Sequence, residues 1–439
     1  MVLSDTYGLI RYAQTKHLAF TEVAEGLEDG KFHFSAKDNL CADGFQARAG
    51  SAVLDGYSPP FDATCIGRMK GSGGQLVGKT TMDEFGFGTF STNSAHGVPL
   101  NPFDRERSCG GSSGGAGAAA CLIPGHIALG VSTGGSISGP ASFCGVVGLT
   151  PTYGRVSRYG LIDYGNSLDK VGLLSRSASL VARHFRTMAG PDPKDPTSCA
   201  QPALAGKGRM PSSLAVPREA LQNLDPSVRS SFQEALGKLK GMGMEVHEVS
   251  MGSLRFALPA YYILATSEAS TNLARYCGMR FGRREEKFDQ HFNDFFTGVR
   301  SEGFGDEAKR RILLGTFCRM VGFRSRYYLK SLAVRQLLIE EYRKVFRDHD
   351  AVVTPTMPFV SPRFEEIGRM KPLEMYGADV LTVPPNLTGM PHISVPCAYV
   401  AGLPVGMQMV ADHWKELDLL EAASAWENVF EYRFPEVSL

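Results

Sequence analysis

The feature that most constrains this sequence is a stretch at 106–154 with an unusual density of glycine, serine and alanine. It contains the triplet Gly-Gly-Ser twice, at 110–112 and at 134–136. A flexible linker could have this composition, but leucine, isoleucine, valine and phenylalanine are interleaved throughout, which favours ordered and closely packed backbone. Close packing, with each hydroxyl bound to its own turn, explains any single glycine or serine here. The repeated triplet makes the serines candidates for chemistry as well.

Hydrophobic periodicity outside this stretch predicts strands that alternate with helices. In 32–37 apolar and polar residues alternate, which places Lys37 at the end of a strand, on the face opposite the phenylalanines. Asp225 and Pro226 cap a helix of clear helical spacing. Strand patterns, the last two forming a hairpin, follow at 244–249, 351–358, 392–400 and 403–411. This alternation predicts an α/β fold with helices on both faces of a sheet.

The size and charge of the chain restrict its architecture and partners. It has 439 residues, of which 43% are hydrophobic, enough to bury a large core. The length allows two or three domains or one large α/β domain at 1–439, and no internal repeat or long linker demands a boundary. Lys and Arg number 46 against 45 for Asp and Glu, which excludes the broad basic surface that dominates nucleic-acid affinity. Any RNA is therefore expected to be held by a partner.

Cysteines and terminal segments indicate the compartment. Nine cysteines are scattered without a Cys-x-x-Cys pair, which argues against a disulfide framework and against a zinc site, so we expect no metal in this chain. The N-terminus lacks the apolar core of a signal peptide, and the apolar stretch at 116–131 is broken by Pro124 and Gly125. These features predict a soluble cytoplasmic protein, or an organellar one if a transit segment has been trimmed.

One segment matches a phosphate-binding loop letter for letter. Residues 73–80 are GGQLVGKT, the GxxxxGK[ST] pattern of a P-loop. A P-loop follows a buried apolar strand, but here the preceding residues are IGRMKGSG, and Leu76 and Val77 lie inside the supposed loop. We therefore interpret 78–80 as the end of a strand. A nucleotide-binding protein remains an alternative, which tight ATP binding would support.

A second segment, 110–114, fits the GxSxG nucleophile elbow of α/β hydrolases. That motif would make Ser112 a nucleophile with a histidine base. The elbow requires an apolar strand directly before it, whereas the residues here are DRERSC. None of the ten histidines lies in a recognisable triad motif, although folding could bring one close. The sequence context therefore does not favour the elbow.

Serine and lysine together offer a different chemistry. A serine hydroxyl needs a base, and a lysine can be that base only if burial lowers its pKa from about 10.4 towards neutrality. The glycines before Ser136 allow consecutive backbone N–H groups to point at one place, as an oxyanion hole requires. Thr133, Gly134 and Gly135 are therefore candidate oxyanion donors. Ser136 is the candidate nucleophile, and Lys37 is the candidate base.

These residues resemble the amidase signature family. The resemblance lies in GGSSGG at 110–115, STGGSI at 132–137 and PASFCGVVGLTPTYGRVSRYGL at 140–161, which together indicate a signature region at about 106–161. It implies a single domain with a central mixed β-sheet covered by helices on both faces. It also implies that Ser136 is the nucleophile, that Ser112 is a bridging serine with a cis peptide bond, and that Lys37 completes the triad.

Within that family the sequence is similar to the glutaminase subunits of tRNA-dependent amidotransferases. DEFGFGTFSTNSAHG, EGFGDEAKRRILLGTF and ADVLTVPPNLTGMPHISVPC carry this similarity. It implies glutamine as the substrate, with Arg311 binding the carboxylate and Asp379 the ammonium group, whereas without it both charges would be taken as surface residues. It further implies no cofactor in this chain. ATP and Mg²⁺ would be bound by a partner subunit that also holds the misacylated Glu-tRNA(Gln) or Asp-tRNA(Asn), and a small third subunit would complete the complex.

Three positions depart from the family pattern. An acid usually precedes TGGS and an arginine follows the serine-isoleucine, but Ser132 and Ser138 occupy these positions, and Gly139 stands where a larger polar residue is common. We hypothesise that the missing acid and base formed a pair and were lost together. The departures leave two alternatives open, a stand-alone amidase of another small carboxamide and a catalytically inactive scaffold of a larger complex.

Overall fold

A single sheet of eleven strands forms the centre of the computed structural model, which describes residues 3–198, 201–282 and 291–437. The strands are β1 (Phe20–Val23), β2 (Phe32–Lys37), β3 (Gly74–Thr80), β4 (Ile127–Ser132), β5 (Val147–Thr150), β6 (Lys170–Ser175), β7 (Ser213–Pro217), β8 (Glu245–Val249), β9 (Ala351–Pro355), β10 (His392–Val400) and β11 (Leu403–Val410). Their order across the sheet is β1-β3-β2-β4-β6-β5-β10-β11-β9-β7-β8. Strands that are distant in sequence are therefore neighbours in space.

The described helices surround this sheet. They are α1 (Leu3–His17), α2 (Thr64–Gly71), α3 (Gly114–Leu122), α4 (Ser138–Phe143), α5 (Ala178–Met188), α6 (Pro226–Gly241), α7 (Ala257–Asn272), α8 (Phe292–Gly303), α9 (Asp306–Arg319), α10 (Tyr328–Val345), α11 (Phe364–Arg369), α12 (Pro372–Gly377), α13 (Val383–Leu387) and α14 (Glu416–Glu427). The predicted cap of α6 is present, because the Asp225 side chain accepts a hydrogen bond from Ser227 N.

The sheet is mixed, with parallel pairs towards its two sides, antiparallel pairs in the middle and an antiparallel edge pair of β1 with β3. β2 is parallel to both β3 and β4, and β7 is parallel to both β8 and β9. From β4 through β6, β5, β10 and β11 to β9, every pair is antiparallel. The predicted α/β class and the mixed sheet are both confirmed.

Helices cover both faces of this sheet, as predicted. Leu129 and Val131 of β4 belong to a core shared with α2, α5, α6 and α14. Ala128, which points to the opposite face because side chains alternate along a strand, packs with α1, α3 and α4. A third cluster, built on α7 with residues of α8, α9 and α10, lies beside these layers. The candidate site lies where this third cluster meets the ends of β2 and β4.

The phosphate-loop pattern is part of a buried strand. Gly74–Thr80 forms β3, which pairs with β1 and β2, so its backbone groups are used in the sheet. No strand directly precedes Gly110 either, since the described residues between β3 and α3 contain a short helical turn, isolated β-bridges and otherwise irregular backbone. The structure therefore lacks the context that either a P-loop or a nucleophile elbow requires.

The C-terminal strand pair has the geometry of a tight hairpin. β10 and β11 are joined by Ala401 and Gly402, which have φ angles of 49° and 80°. Two consecutive residues with positive φ match the right-handed twist of the flanking strands, and glycine adopts this conformation readily. The hairpin predicted around these two residues is confirmed.

Eight cysteines among the described residues are free thiols, and the ninth, Cys199, lies outside the described part of the chain. No helix in the described ranges combines the length and the apolar character that a membrane crossing needs.

Candidate active site

Lys37 lies at the end of β2 with its side chain buried. Its Nζ donates hydrogen bonds to Ser112 Oγ at 2.7 Å and to the carbonyl oxygen of Val131 at 3.0 Å. Val131 belongs to β4, the parallel neighbour of β2, so the pairing of these strands directs the lysine towards the loop that follows β4. The structure thus brings Lys37 and Ser112 together.

Ser112 lies in a tight turn immediately before α3, and the Gly111–Ser112 peptide bond is cis. The backbone is closely packed here, because a Cβ atom at Gly111 would lie 2.4 Å from Asp83 Oδ2. The Ser112 carbonyl accepts a hydrogen bond from Asp83 N at 3.2 Å. The close packing predicted for this region therefore applies at Gly111, where only glycine leaves room for the buried carboxylate.

Ser136 follows β4 after the turn of Thr133, Gly134 and Gly135, and α4 begins two residues later. Its side chain is 7% exposed. Within the described ranges its Oγ has no hydrogen-bond partner, whereas Ser112 Oγ is bound by Lys37. A hydroxyl without a protein partner is free to contact a substrate carbonyl.

The two positions before Ser136 have no room for a side chain. A Cβ atom would lie 2.4 Å from Tyr261 Cζ at Gly134 and 2.1 Å from Thr382 Oγ1 at Gly135. Gly135 also has a φ of 151°, a backbone conformation that favours glycine. Thr382 Oγ1 donates a hydrogen bond to the Gly134 carbonyl at 2.9 Å. This loop therefore has one fixed conformation, as an oxyanion hole requires.

Burial gives Lys37 the acid–base behaviour of a candidate base. Desolvation lowers the pKa of Lys37 from 10.5 to about 7, while the charges of Asp83 and Asp169 act in the opposite direction. A lysine with a pKa near 7 is largely neutral in mildly alkaline solution and can accept a proton.

The two carboxylates that oppose this shift were not predicted from the sequence. Asp83 accepts hydrogen bonds from the backbone N–H groups of Ser91 at 2.9 Å and Asn93 at 2.8 Å. Asp169 accepts one from Thr133 Oγ1 at 2.7 Å. Burial raises the pKa of Asp83 to about 6 and that of Asp169 to about 7. The sequence does contain one indication of Asp83, which is the first residue of the DEFGFG segment that carries the family resemblance.

Arg311 lies on α9 and is 2% exposed, so the surface position expected from its charge alone is wrong. Its Nε donates to Glu307 Oε1 at 2.7 Å and its Nη1 to Tyr164 Oη at 2.5 Å. No described residue accepts a hydrogen bond from Nη2. Four aromatic rings surround the guanidinium group at 5.1 to 5.7 Å, those of Phe87, Tyr164, Tyr262 and Tyr376.

Asp379 lies just before α13, and its Oδ2 accepts hydrogen bonds from Thr89 Oγ1 at 2.9 Å and from Tyr262 Oη at 3.1 Å. Burial raises the pKa of this carboxyl group to about 7. Tyr262 connects the two candidate binding residues, because its ring also lies 5.3 Å from Arg311 Cζ. A cavity of about 350 Å³ opens beside them, lined in part by Thr89, Arg311 and Tyr376. Tyr262 was not predicted from the sequence, since a tyrosine in a helix usually indicates core packing.

The two serines that depart from the family pattern are buried near the loop. Ser132 Oγ donates to Asn386 Oδ1 at 3.1 Å. The Ser138 hydroxyl is buried and has no hydrogen-bond partner among the described residues. The joint loss of an acid and a base at these positions remains a hypothesis. Across the described ranges, no three His, Cys, Asp or Glu side chains are grouped to hold a metal ion.

Comparison with known proteins identifies the family. The sequence pattern of the Amidase family matches residues 33–420, so the chain belongs to the Amidase family. The A-subunit of glutamyl-tRNA(Gln) amidotransferase from Symbiobacterium thermophilum is 43% identical over 404 residues, which cover 91% of this chain and 82% of that protein. The protein of the same description from Haloarcula marismortui is 42% identical over 415 residues, covering 92% of this chain and 97% of the relative.

Solved structures agree with this assignment. The crystal structure of the glutamyl-tRNA(Gln) amidotransferase A-subunit from Thermotoga maritima has a TM-score of 0.84 and 31% identity, covering 99% of this chain and 94% of that one. The peptide amidase from Stenotrophomonas maltophilia has a TM-score of 0.75 and 26% identity, covering 92% and 83%. The resemblance to the amidase signature family is therefore confirmed.

Proposed function

We propose that this chain is the glutamine-hydrolysing subunit of a glutamyl-tRNA(Gln) amidotransferase. One observation carries the proposal. The buried amine of Lys37, whose pKa is lowered to about 7, lies 2.7 Å from Ser112 Oγ beside the Thr-Gly-Gly-Ser turn. The similarity to the A-subunits of amidotransferases over about nine tenths of the chain supports glutamine as the substrate.

In the first half of the proposed reaction, Ser136 Oγ attacks the side-chain carbonyl carbon of glutamine. The Ser136 proton passes to Ser112 Oγ as the Ser112 proton passes to neutral Lys37. The carbonyl oxygen becomes an oxyanion, which the backbone N–H groups at Thr133, Gly134 and Gly135 stabilise. When the C–N bond breaks, the proton returns through Ser112 to the leaving amino group. Ammonia departs and a glutamyl ester remains on Ser136.

In the second half, water takes the place of the serine hydroxyl. Lys37, again neutral, accepts a proton from the water through Ser112 while the water oxygen attacks the ester carbonyl. The ester bond breaks, the proton is delivered to Ser136, and glutamate is released. The balance is one glutamine and one water consumed for one glutamate and one ammonia formed.

Arg311 and Asp379 are proposed to bind the α-carboxylate and α-ammonium groups of glutamine. The unpaired Nη2 of Arg311 and the cavity beside it support a carboxylate there. Asp379, whose pKa is about 7 without substrate, becomes ionised more readily when an ammonium group lies beside it. A small amide that lacks these two charged groups would leave Arg311 Nη2 without a partner and would give Asp379 no counter-charge beyond its bonds to Thr89 and Tyr262.

The ammonia is proposed to be used by a partner subunit. The A-subunit designation of the relatives supports a multi-subunit enzyme. We propose that partners bind ATP, Mg²⁺ and the misacylated tRNA, that a small third subunit completes the complex, and that the complex acts in the cytoplasm.

The proposal is tested by measuring glutamate release from glutamine by the purified chain, with and without partner subunits. Wild type is compared with Ser136→Ala and Lys37→Ala. Both substitutions should lower kcat by about 10⁴-fold or more, since triad members act as a unit. Ser175→Ala is the matched control, because Ser175 is also buried but its hydroxyl donates to the His126 carbonyl and not to an atom that contacts Lys37. Its activity should remain within about threefold of wild type.

The outcomes separate the alternatives. Glutamine turnover that depends on Ser136 and Lys37 supports the proposal. If glutamine is inert under every condition while a simple amide is cleaved in a Ser136-dependent way, the chain is a stand-alone amidase. If no amide is cleaved even with partners present, the chain is an inactive scaffold.

A further inference from the structure

Thr382 makes a contact that links the substrate-binding region with the loop before Ser136. It lies immediately before α13, and its side chain is buried. Its Oγ1 lies 2.9 Å from the Gly134 carbonyl oxygen and 3.2 Å from that of Asp379. A hydroxyl has one proton, and the shorter contact identifies Gly134 O as its main acceptor.

This hydrogen bond fixes the orientation of one peptide group. The Gly134–Gly135 bond is trans, since Gly111–Ser112 is the only cis peptide in the described ranges. In a trans peptide the C=O and N–H bonds point in opposite directions. With the Gly134 carbonyl held by Thr382, the Gly135 N–H points away from α13. Rotation of this peptide would otherwise be easy, because both residues are glycine.

A second contact holds the beginning of the same loop. Ser132 Oγ donates to Asn386 Oδ1 at 3.1 Å, and Asn386 Nδ2 donates to the Thr382 carbonyl at 2.9 Å. Thr382 and Asn386 thus attach α13 to the loop at Gly134 and at Ser132. The segment from Asp379 to α13 and the loop before Ser136 are therefore one connected unit.

The same threonine is connected to Asp379 through the backbone. Thr382 N donates to the Asp379 carbonyl at 3.1 Å, which closes one turn ahead of α13. The Asp379 side chain is held from the other side by Thr89 and Tyr262. A shift of the Asp379 backbone on ligand binding would therefore be passed to Thr382.

We propose that Thr382 is a positioning residue, which aims the Gly135 N–H at the oxyanion and couples that orientation to the occupancy of Asp379 by the substrate ammonium group. The proposal rests on the proposed function, since it assigns the ammonium group to Asp379 and the oxyanion to this loop. A substrate with an α-ammonium group makes its own oxyanion hole more rigid. An amide without that group receives less stabilisation in the transition state, because only interactions present there raise kcat.

The test compares Thr382→Val, which keeps the shape of the side chain but removes the hydroxyl, with wild type. Two substrates are used, glutamine and glutaramic acid, which is glutamine without its amino group. We expect kcat for glutamine to fall by about 10- to 100-fold with KM within about threefold, because a misaligned oxyanion donor acts on the transition state. The kcat for glutaramic acid should fall by a smaller factor, about threefold to tenfold, since that substrate loses the aligned donor but has no ammonium group through which the coupling acts.

Two further variants separate this role from a structural one. Thr382→Ser keeps the hydroxyl and should restore kcat for glutamine to within about threefold of wild type. Thr388→Val removes another buried hydroxyl at the end of α13, one that bonds only to the Pro384 and Pro385 carbonyls. It should leave both substrates within about threefold of wild type.

The result that overturns the proposal is a Thr382→Val enzyme with unchanged kcat for glutamine, or with equal losses for both substrates. A wild-type enzyme that does not hydrolyse glutamine under any condition contradicts the proposed function instead. The two failures are therefore distinguishable in one set of measurements.

Discussion

Three buried lysines show that burial alone does not define a base. Desolvation lowers the pKa of Lys37, Lys79 and Lys170 alike. Lys79 Nζ donates to the carbonyls of Leu40 and Gln46 and lies 3.6 Å from Asp38 Oδ1. Lys170 Nζ donates to two carbonyls, at Pro385 and Met390. Of these three amines, that of Lys37 contacts a hydroxyl, at Ser112, and a hydroxyl can carry a proton onward.

The pKa of Lys37 predicts how activity depends on pH. Its protonated form cannot act as a base, so kcat for glutamine should rise with pH through about 7 and level off above it. At pH 6 kcat should be about tenfold below the plateau, because about a tenth of the lysine is neutral there. Saturating glutamine pairs Asp379 with the ammonium group in the proposed complex, so the acid limb reports Lys37 together with the neighbouring carboxyl groups of Asp83 and Asp169. A rate that still increases steeply between pH 8 and 9.5 would contradict a lowered pKa.

The sequence predicts the candidate triad residues better than the side chains around them. The family resemblance implies that Lys37 and Ser112 lie close together, and the structure brings them within a hydrogen bond. Asp83, Asp169 and Tyr262 were not predicted, because their effect depends on distances that only the folded chain defines. Arg311 was assigned through family resemblance alone, since charge by itself favours the surface.

At the scale of elements, helices α3 and α6 each contain a glycine, but the surroundings of the two glycines differ. Gly115 in α3 is buried, and a Cβ there would lie 2.4 Å from the Ala19 carbonyl oxygen and 2.6 Å from Thr81 N. Gly237 in α6 is exposed, and a Cβ there would have no neighbour within 4 Å. The first glycine lets a helix approach the sheet closely, whereas the second has no packing function.

The same substitution should therefore have opposite effects in these helices. Gly115→Ala should lower the free energy of unfolding by about 1–3 kcal/mol, because the added methyl group forces the helix away from the backbone at Ala19 and Thr81. Gly237→Ala should raise it by about 1 kcal/mol through helix propensity. Denaturant unfolding of both variants beside wild type checks the pair. Equal effects in the two helices would show that α3 is not held by close backbone contact.

Elements with a local sequence signal were predicted, and their arrangement was not. The alternation at 32–37, the Asp-Pro cap of α6 and the turn at 401–402 each depend on a few neighbouring residues, and each is confirmed. The order of strands depends on contacts between distant segments, which a single sequence does not show. Placing β10 beside β5 joins residues more than 200 positions apart, and no local pattern encodes that pairing.

For the whole molecule, the candidate site reduces stability near neutral pH. Burial raises the pKa of Asp379 from 3.8 to about 7. Between these values the folded chain holds a proton that the unfolded chain has released, so stability falls as pH rises through this window. The full loss is present above about pH 7, where the folded protein carries a desolvated carboxylate.

Asp379→Asn should remove this loss. We expect the variant to raise Tm by about 1–3 °C at pH 8 and by less at pH 5, while KM for glutamine increases. Asp225→Asn is the control, because hydrogen bonds of Ser227 lower the pKa of Asp225, so ionisation there favours the folded state. It should not raise Tm at pH 8. Thermal unfolding at both pH values tests the prediction, and a lower Tm for Asp379→Asn at pH 8 would contradict it.

The position of β10 and β11 also determines when the two parts of the sheet can join during synthesis. β10 and β11 lie near the end of the chain but occupy the middle of the sheet, between β5 and β9. Until these two strands have left the ribosome, no strand of the group β1 to β6 can pair with a strand of the group β7 to β9. Asp379 and Thr382 emerge at the same late stage. A nascent chain therefore contains Lys37, Ser112 and Ser136 long before β10 and β11 join the two parts of the sheet.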